Sequence, residues 1–295
     1  MDWSRIIPLL AMPVMLLLVE TGAILLSLPM QAAGVAAFED PESVANPLIF
    51  IVILLIFTAF LLLLIRWRFQ KFIGVIIGVS IFFTFVYIFG SISFLLTQDP
   101  ILGLAGSFIP ALLATLVLHF YPEWYVIDIL GLLIAAGAAS IFGISLEVIP
   151  VIILLILLAV YDAISVYKTK HMITLAEGVV DLKSPILFVV PKKRGYSYRA
   201  ERIGSIEGGE RSAYLIGMGD MIMPSILVVS ANVFLQGTKI GIFTLPALGA
   251  MAGSVAGLVF LLTYVVKGKP QAGLPPLNGG AILGLLAGYA LTLVF

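Results

Sequence analysis

Asp162, in "AVYDAISVYKTKHM", and Asp220, in "GMGDMIMPS", interrupt stretches that are otherwise apolar enough to sit in lipid. An ionisable side chain at membrane depth is costly and marks a functional candidate. No Lys or Arg lies within either apolar stretch to neutralise it. Two carboxylates brought together in a low dielectric cannot both ionise cheaply, so such a pair holds one proton and titrates as a unit. Peptide hydrolysis by two aspartates needs that state. The ionised carboxylate takes a proton from water as the water attacks the carbonyl, and the protonated one donates to the carbonyl oxygen. The same groups would also serve a proton- or cation-coupled transporter or channel. Two unrelated protonated aspartates are the third reading. Carboxylates in polytopic proteins mark ion pathways at least as often as hydrolysis, so without further information transport is favoured, and composition alone does not decide between the readings.

Other hydrolytic chemistries lack their residues. The chain has no cysteine and two histidines, His119 and His171, neither at metal-ligand spacing nor at membrane depth. No HExxH motif, thiolate site or Ser–His dyad can be assembled, and no metal or organic cofactor is expected. Two further acids need an account. Glu20 is expected to be hydrogen-bonded to a neighbouring helix, without chemistry. Asp128, four residues past Trp124, is expected in a solvated, interfacial position.

The elements that must position Asp162 and Asp220 are membrane helices. The composition is 61% hydrophobic and 11% charged, and mean hydropathy is +1.18. Apolar runs of about 18 or more residues recur, each long enough to cross a hydrocarbon core. They are continuous rather than alternating, which indicates helices, not barrel strands. Nine spans are read, at residues 6–30, 46–65, 72–97, 101–118, 125–146, 149–167, 213–235, 240–266 and 273–295. The first is too long for a signal-peptide core and is kept as a membrane helix. Pro110 and Pro246 mark expected helix breaks. The fold class is therefore all-α, a polytopic membrane protein.

Placing the N-terminus inside puts 15 of the 16 Lys and Arg on the inner face, and only Lys239 outside. The N-in, C-out orientation follows. The chain divides into a six-helix part (1–167), an inner loop (168–212) and a three-helix part (213–295). Asp162 lies six residues before Lys168, about 9 Å at helical rise, and Asp220 lies nine after Arg211, about 14 Å. On consecutive antiparallel helices, the two aspartates can face each other below the cytoplasmic surface. Gly249, Gly253 and Gly257, and likewise Gly280, Gly284 and Gly288, recur every four residues and form ridges for close helix packing.

Three motifs in order then carry a resemblance: Tyr161–Asp162 late in the sixth span, "GMGD" (Gly217, Met218, Gly219, Asp220) in the seventh, and "GLPPLN" at the start of the ninth. The chain resembles the presenilin and signal-peptide-peptidase family of GxGD intramembrane aspartyl proteases. The likeness extends to the nine-helix layout with a long loop between helices six and seven. It implies a presenilin-like fold and an aspartic endopeptidase cleaving transmembrane substrates within the bilayer. Asp162 and Asp220 would be its catalytic pair, with Tyr161, Gly217, Met218 and Gly219 around them. Pro275, Pro276 and Leu277 stand where the family has Pro-Ala-Leu. Two prolines there are expected to break the helix start and leave free carbonyls.

Pro224 looks like signal peptide peptidases, but the inner position of the basic loop is that of presenilins. The chain therefore resembles a presenilin-like homologue, its compact length that of a microbial or archaeal one. The expected partners are single-span transmembrane peptides and the lipid bilayer, with no nucleic acid; a homo-oligomer is left open. The expected location is the cell membrane, with the site near the cytoplasmic side. Pro224 has no N–H for the carbonyl of Asp220, so the helix should loosen there. The β-prone run Ile186, Leu187, Phe188, Val189 and Val190, between Pro185 and Pro191, reads either as a surface strand or as one that pairs with an unwound substrate.

Overall fold

The computed structural model describes residues 3–67, 69–97, 99–169, 187–192, 195–199, 213–265 and 271–293. Among these, nine α-helices follow in order: α1 (Trp3–Ala32), α2 (Ala45–Arg66), α3 (Gln70–Leu96), α4 (Pro100–Phe120), α5 (Trp124–Ser145), α6 (Val148–Ile164), α7 (Met218–Phe234), α8 (Leu245–Val265) and α9 (Leu274–Thr292). Eight are long and apolar enough to cross a membrane; α7, with 17 residues, is shorter. The chain runs straight through Pro110 within α4, while Pro246 sits in the first turn of α8, where its missing N–H leaves no bond unmade. Neither proline breaks a helix.

The seventh span differs from the expectation. Residues Ala213–Gly217 are a strand, β2, and the helix begins only at Met218. β2 pairs antiparallel with β1 (Leu187–Pro191), Leu187 opposite Gly217 and Val189 opposite Leu215. The expected strand is thus present from Leu187 onward; Ile186 lies outside the described residues. A second hairpin, β3 (Lys239–Ile240) and β4 (Phe243–Thr244), precedes α8. Its two-residue turn places Gly241 at a φ of 65°, which side-chain-bearing residues rarely adopt. Thr244 then caps α8, its Oγ1 accepting from Ala247 N at 3.3 Å.

Helices α1, α5 and α7 pack against one another inside the bundle. Gly143 of α5 leaves room for Val229 of α7, and Ser230 Oγ donates to the Leu146 carbonyl at 2.8 Å. Glu20 is fully buried in α1, and its Oε1 lies 2.6 Å from Ser254 Oγ of α8, the interhelical bond expected of it. Helices α2 to α4 turn most of their Phe, Ile and Leu side chains outward, as lipid-facing helices do.

The glycine ridges meet within the chain. Gly249, Gly253 and Gly257 of α8 lie against Gly288, Gly284, Gly280 and the Pro276–Leu277 backbone of α9. A Cβ added at Gly253 would collide with the Gly280 carbonyl and stand 3.0 Å from Gly284 Cα. Backbone cannot yield as a side-chain tip can, so the two helices would have to part. Gly253→Val is expected to destabilise the protein by about 1–3 kcal/mol. Thermal unfolding in detergent checks this against Leu283→Val on the exposed face of α9, which should leave the midpoint unchanged.

Candidate active site

Three helix ends meet at one place: the end of α6, the start of α7 and the start of α9. Asp162 is buried in the last turn of α6, and Tyr161 beside it is half-buried. Asp220 is half-buried in the first turn of α7. Their depths do not follow from the sequence arithmetic, because residues 213–217 are extended and each advances about 3.3 Å rather than 1.5 Å. What brings the two together is the start of α9.

Leu274 N donates to Asp162 Oδ2 at 3.0 Å, and the Gly273 N–H lies beside the same carboxylate. A Cβ on Gly273 would lie 2.8 Å from Asp220 Oδ2 and 3.0 Å from its Cγ. One dipeptide therefore touches both acids. The reason is local. The first N–H groups of a helix have no partner within it. Pro275 and Pro276 follow Leu274 and have no N–H, so Gly273 and Leu274 carry the donors at this end. The prolines, expected from sequence to break the helix start, instead occupy its first turn. The groups they leave for the site are N–H donors, not carbonyls. Leu277 is fully buried and Pro275 and Pro276 are half-buried, Pro276 and Leu277 against Gly257. Asn278 Nδ2 ties α9 to the Leu155 carbonyl of α6 at 3.0 Å.

The GMGD residues form a strand-to-helix junction. Gly217 ends β2, and a Cβ there would stand 3.5 Å from Asp220 Oδ2. Gly219 is exposed, with nothing within 4 Å of where a Cβ would be. Met218 is buried against Gly131 of α5, a notch that also admits the ring of Phe188. Pro224 lies within α7 without interrupting it, so the expected loosening at Asp220 is not seen.

The N-terminal turns of α5 hold the sheet. Asp128 is half-buried, not solvated, and its Oδ1 accepts from Val189 N at 2.8 Å. Glu123, just before α5, accepts from Ser197 Oγ at 2.8 Å and Tyr198 N at 3.2 Å. Because Val189 N points away from β2, Val189 and Leu215 are a non-hydrogen-bonded pair, and Leu215 directs its own N–H and C=O outward. The alternation gives Ala213 the same outward groups. Among the described residues, nothing outside the sheet hydrogen-bonds to them. The open edge of the sheet is thus on β2, next to Asp220, and not on β1.

Sequence reasoning missed Gly273, Leu274 and this edge. A glycine followed by proline in the first turn is a helix-start signature, and unpaired N–H groups there were the available signal.

A family model described as "Signal-peptide peptidase, presenilin aspartyl protease" matches residues 13–294. Two solved structures are similar over 96% of this chain. One, described as a presenilin family intramembrane aspartate protease in space group C222, is 54% identical, with 99% of it covered and a TM-score of 0.72. The other, a presenilin family intramembrane aspartate protease in space group P2, is 55% identical, with 98% covered and a TM-score of 0.71. None of the curated proteins compared with the chain matches it.

Proposed function

The chain belongs to the signal-peptide peptidase and presenilin family of aspartyl proteases and is a multi-pass membrane protein with intramembrane aspartic endopeptidase activity; from this premise we propose that Asp162 and Asp220 are its catalytic pair. The observation that carries the assignment is the Gly273–Leu274 dipeptide, which donates to one carboxylate and touches the other.

The two acids are not equivalent. Asp162 is fixed as an acceptor by the Leu274 N–H at the N-terminus of α9. Asp162 is therefore the base and Asp220 the acid. Asp162 removes a proton from water as the oxygen bonds to the peptide carbonyl carbon, and Asp220 gives its proton to the carbonyl oxygen. In the gem-diol so formed, the C–N bond breaks. The proton held on Asp162 goes to the leaving nitrogen, and a hydroxyl proton returns to Asp220. The pair ends with the one proton it began with.

A helical substrate must unwind before its peptide bond is reachable. The open edge of β2 suits an extended substrate by strand addition, and the open space over Gly219 leaves room beside Asp220. Pairing thus belongs to β2, with Leu187 to Val190 as the inner strand that backs it. Leu215→Pro removes one outward N–H without touching the bonds between β1 and β2. It is expected to lower kcat/KM about tenfold. Steady-state kinetics check this against Lys239→Ala, on the exposed β3, which should leave the rate unchanged.

Substrates are single-span peptides in the bilayer, and the site opens toward the cytoplasmic side of the cell membrane, where the basic loop lies. The test incubates purified protein with a single-span peptide in liposomes and identifies new termini by mass spectrometry. Intact peptide across the pH range, with ion flux instead, would reverse the reading in favour of transport.

A further inference from the structure

We propose that Tyr167 is a positioning residue for the active site, holding residues 271 and 272 so that the next two N–H groups stay on Asp162. The inference rests on the assignment of Asp162 as the base.

After Ile164 the helix widens into a π-turn, Ser165–Thr169. Its i→i+5 bonding holds more residues per turn than an α-helix and turns Tyr167 toward the face that carries Asp162. The Tyr167 hydroxyl donates to Gln271 Oε1 at 2.7 Å and accepts from Ala272 N at 3.3 Å. One phenol thus fixes a side chain and a backbone group immediately before Gly273. Asp162 then accepts the Leu274 N–H, with the Gly273 N–H beside it. The segment 271 to 274 is thus held by two side chains five positions apart, one at the end of α6 and one on the π-turn that continues it.

The grip has a specific use. Gly273 and Leu274 lie at a helix start, where the backbone is held by few intrahelical bonds and frays most readily. Asn278 and the Gly257 contact hold α9 from the C-terminal side of the dipeptide. Tyr167 holds it from the N-terminal side. Without that hold, the two N–H groups keep their chemistry but lose their aim at Asp162.

Tyr167→Phe keeps the ring and removes both hydrogen bonds. It is expected to lower kcat about tenfold with KM within about twofold, because the hold acts on the base and not on the substrate. Leu274→Pro removes the N–H at a position where proline suits a helix start, and is expected to lower kcat at least as much. The decisive measurement is the double variant. Once the Leu274 N–H is gone, Tyr167→Phe should cost little more, so the effects should fall well short of multiplying. Unchanged kcat for Tyr167→Phe, a loss confined to KM, or full multiplication would overturn the proposal. If Tyr167→Phe does not fold, Gln271→Ala enters the same cycle with the same criteria. Asp162→Asn separates the two levels. Activity retained there defeats the assignment of the base, whereas an inactive Asp162→Asn beside a wild-type-like Tyr167→Phe defeats only the role of Tyr167.

Discussion

Asp162→Asn, Asp220→Asn and the double substitution are each expected to lower kcat by about a thousandfold or more, and by nearly the same amount. In the proposed mechanism the two acids pass one proton between them, so removing either disables the unit, and removing the second adds little. Asparagine keeps the shape of the site. Its side-chain carbonyl can still accept from Leu274 N–H in place of Asp162, so the loss reports proton transfer and not collapse. Cleavage of a single-span peptide, followed by mass spectrometry of the termini, measures it. Thermal midpoints within a few degrees of wild type confirm the fold. The wild type should show a bell-shaped dependence of rate on pH, since two protons on the pair leave no base and none leave no acid. An asparagine variant with a tenth of the wild-type rate, or two losses that multiply, would rule out the shared-proton mechanism.

Gly273→Ala is expected to be the most damaging change that alters no ionisable group. The added methyl would stand 2.8 Å from Asp220 Oδ2 and 3.0 Å from Cγ, closer than real Cβ atoms come. Either the Asp220 carboxyl turns away, or the start of α9 retreats and takes the Gly273 and Leu274 donors off Asp162. Both routes pull apart groups that must act on the same peptide bond. A displacement of about 1 Å suffices for a loss near a hundredfold in kcat. The backbone of Gly273 has a φ of −80°, which alanine adopts freely, so the fold should hold. Kinetics combined with thermal unfolding check this. A wild-type kcat would mean that the dipeptide does not stand between the acids in the working enzyme.

The membrane helices were legible because lipid imposes a length and a composition, and continuous apolar runs have few other readings. Asp162 and Asp220 were legible for the same reason, being conspicuous against an apolar background. β2 was not. "AYLIG" is apolar and runs directly into the apolar helix that follows, so periodicity cannot separate the two. Its partner strand starts at Leu187, 26 positions before Ala213, too far away for a local pattern to link the two. Asp128 was misjudged because its distance from Trp124 says where it sits along α5 but not that a strand edge lies against it. The donors of Gly273 and Leu274 escaped for a different reason. They are backbone groups, and a backbone N–H has no letter in the sequence. Only the two prolines after them hinted that this helix begins with its donors unspent.

The glycine seam between α8 and α9 has a mechanical consequence. Two helices that touch backbone to backbone have no rotamers between them to absorb a misfit, so a disturbance anywhere along the seam moves α9 as a rod. From Gly288 to Leu274 that rod is roughly 21 Å long. Its near end is what Asp162 and Asp220 share. A bulky residue at Gly249, far from either acid and facing no substrate, would act as a lever whose other arm swings inside the active site.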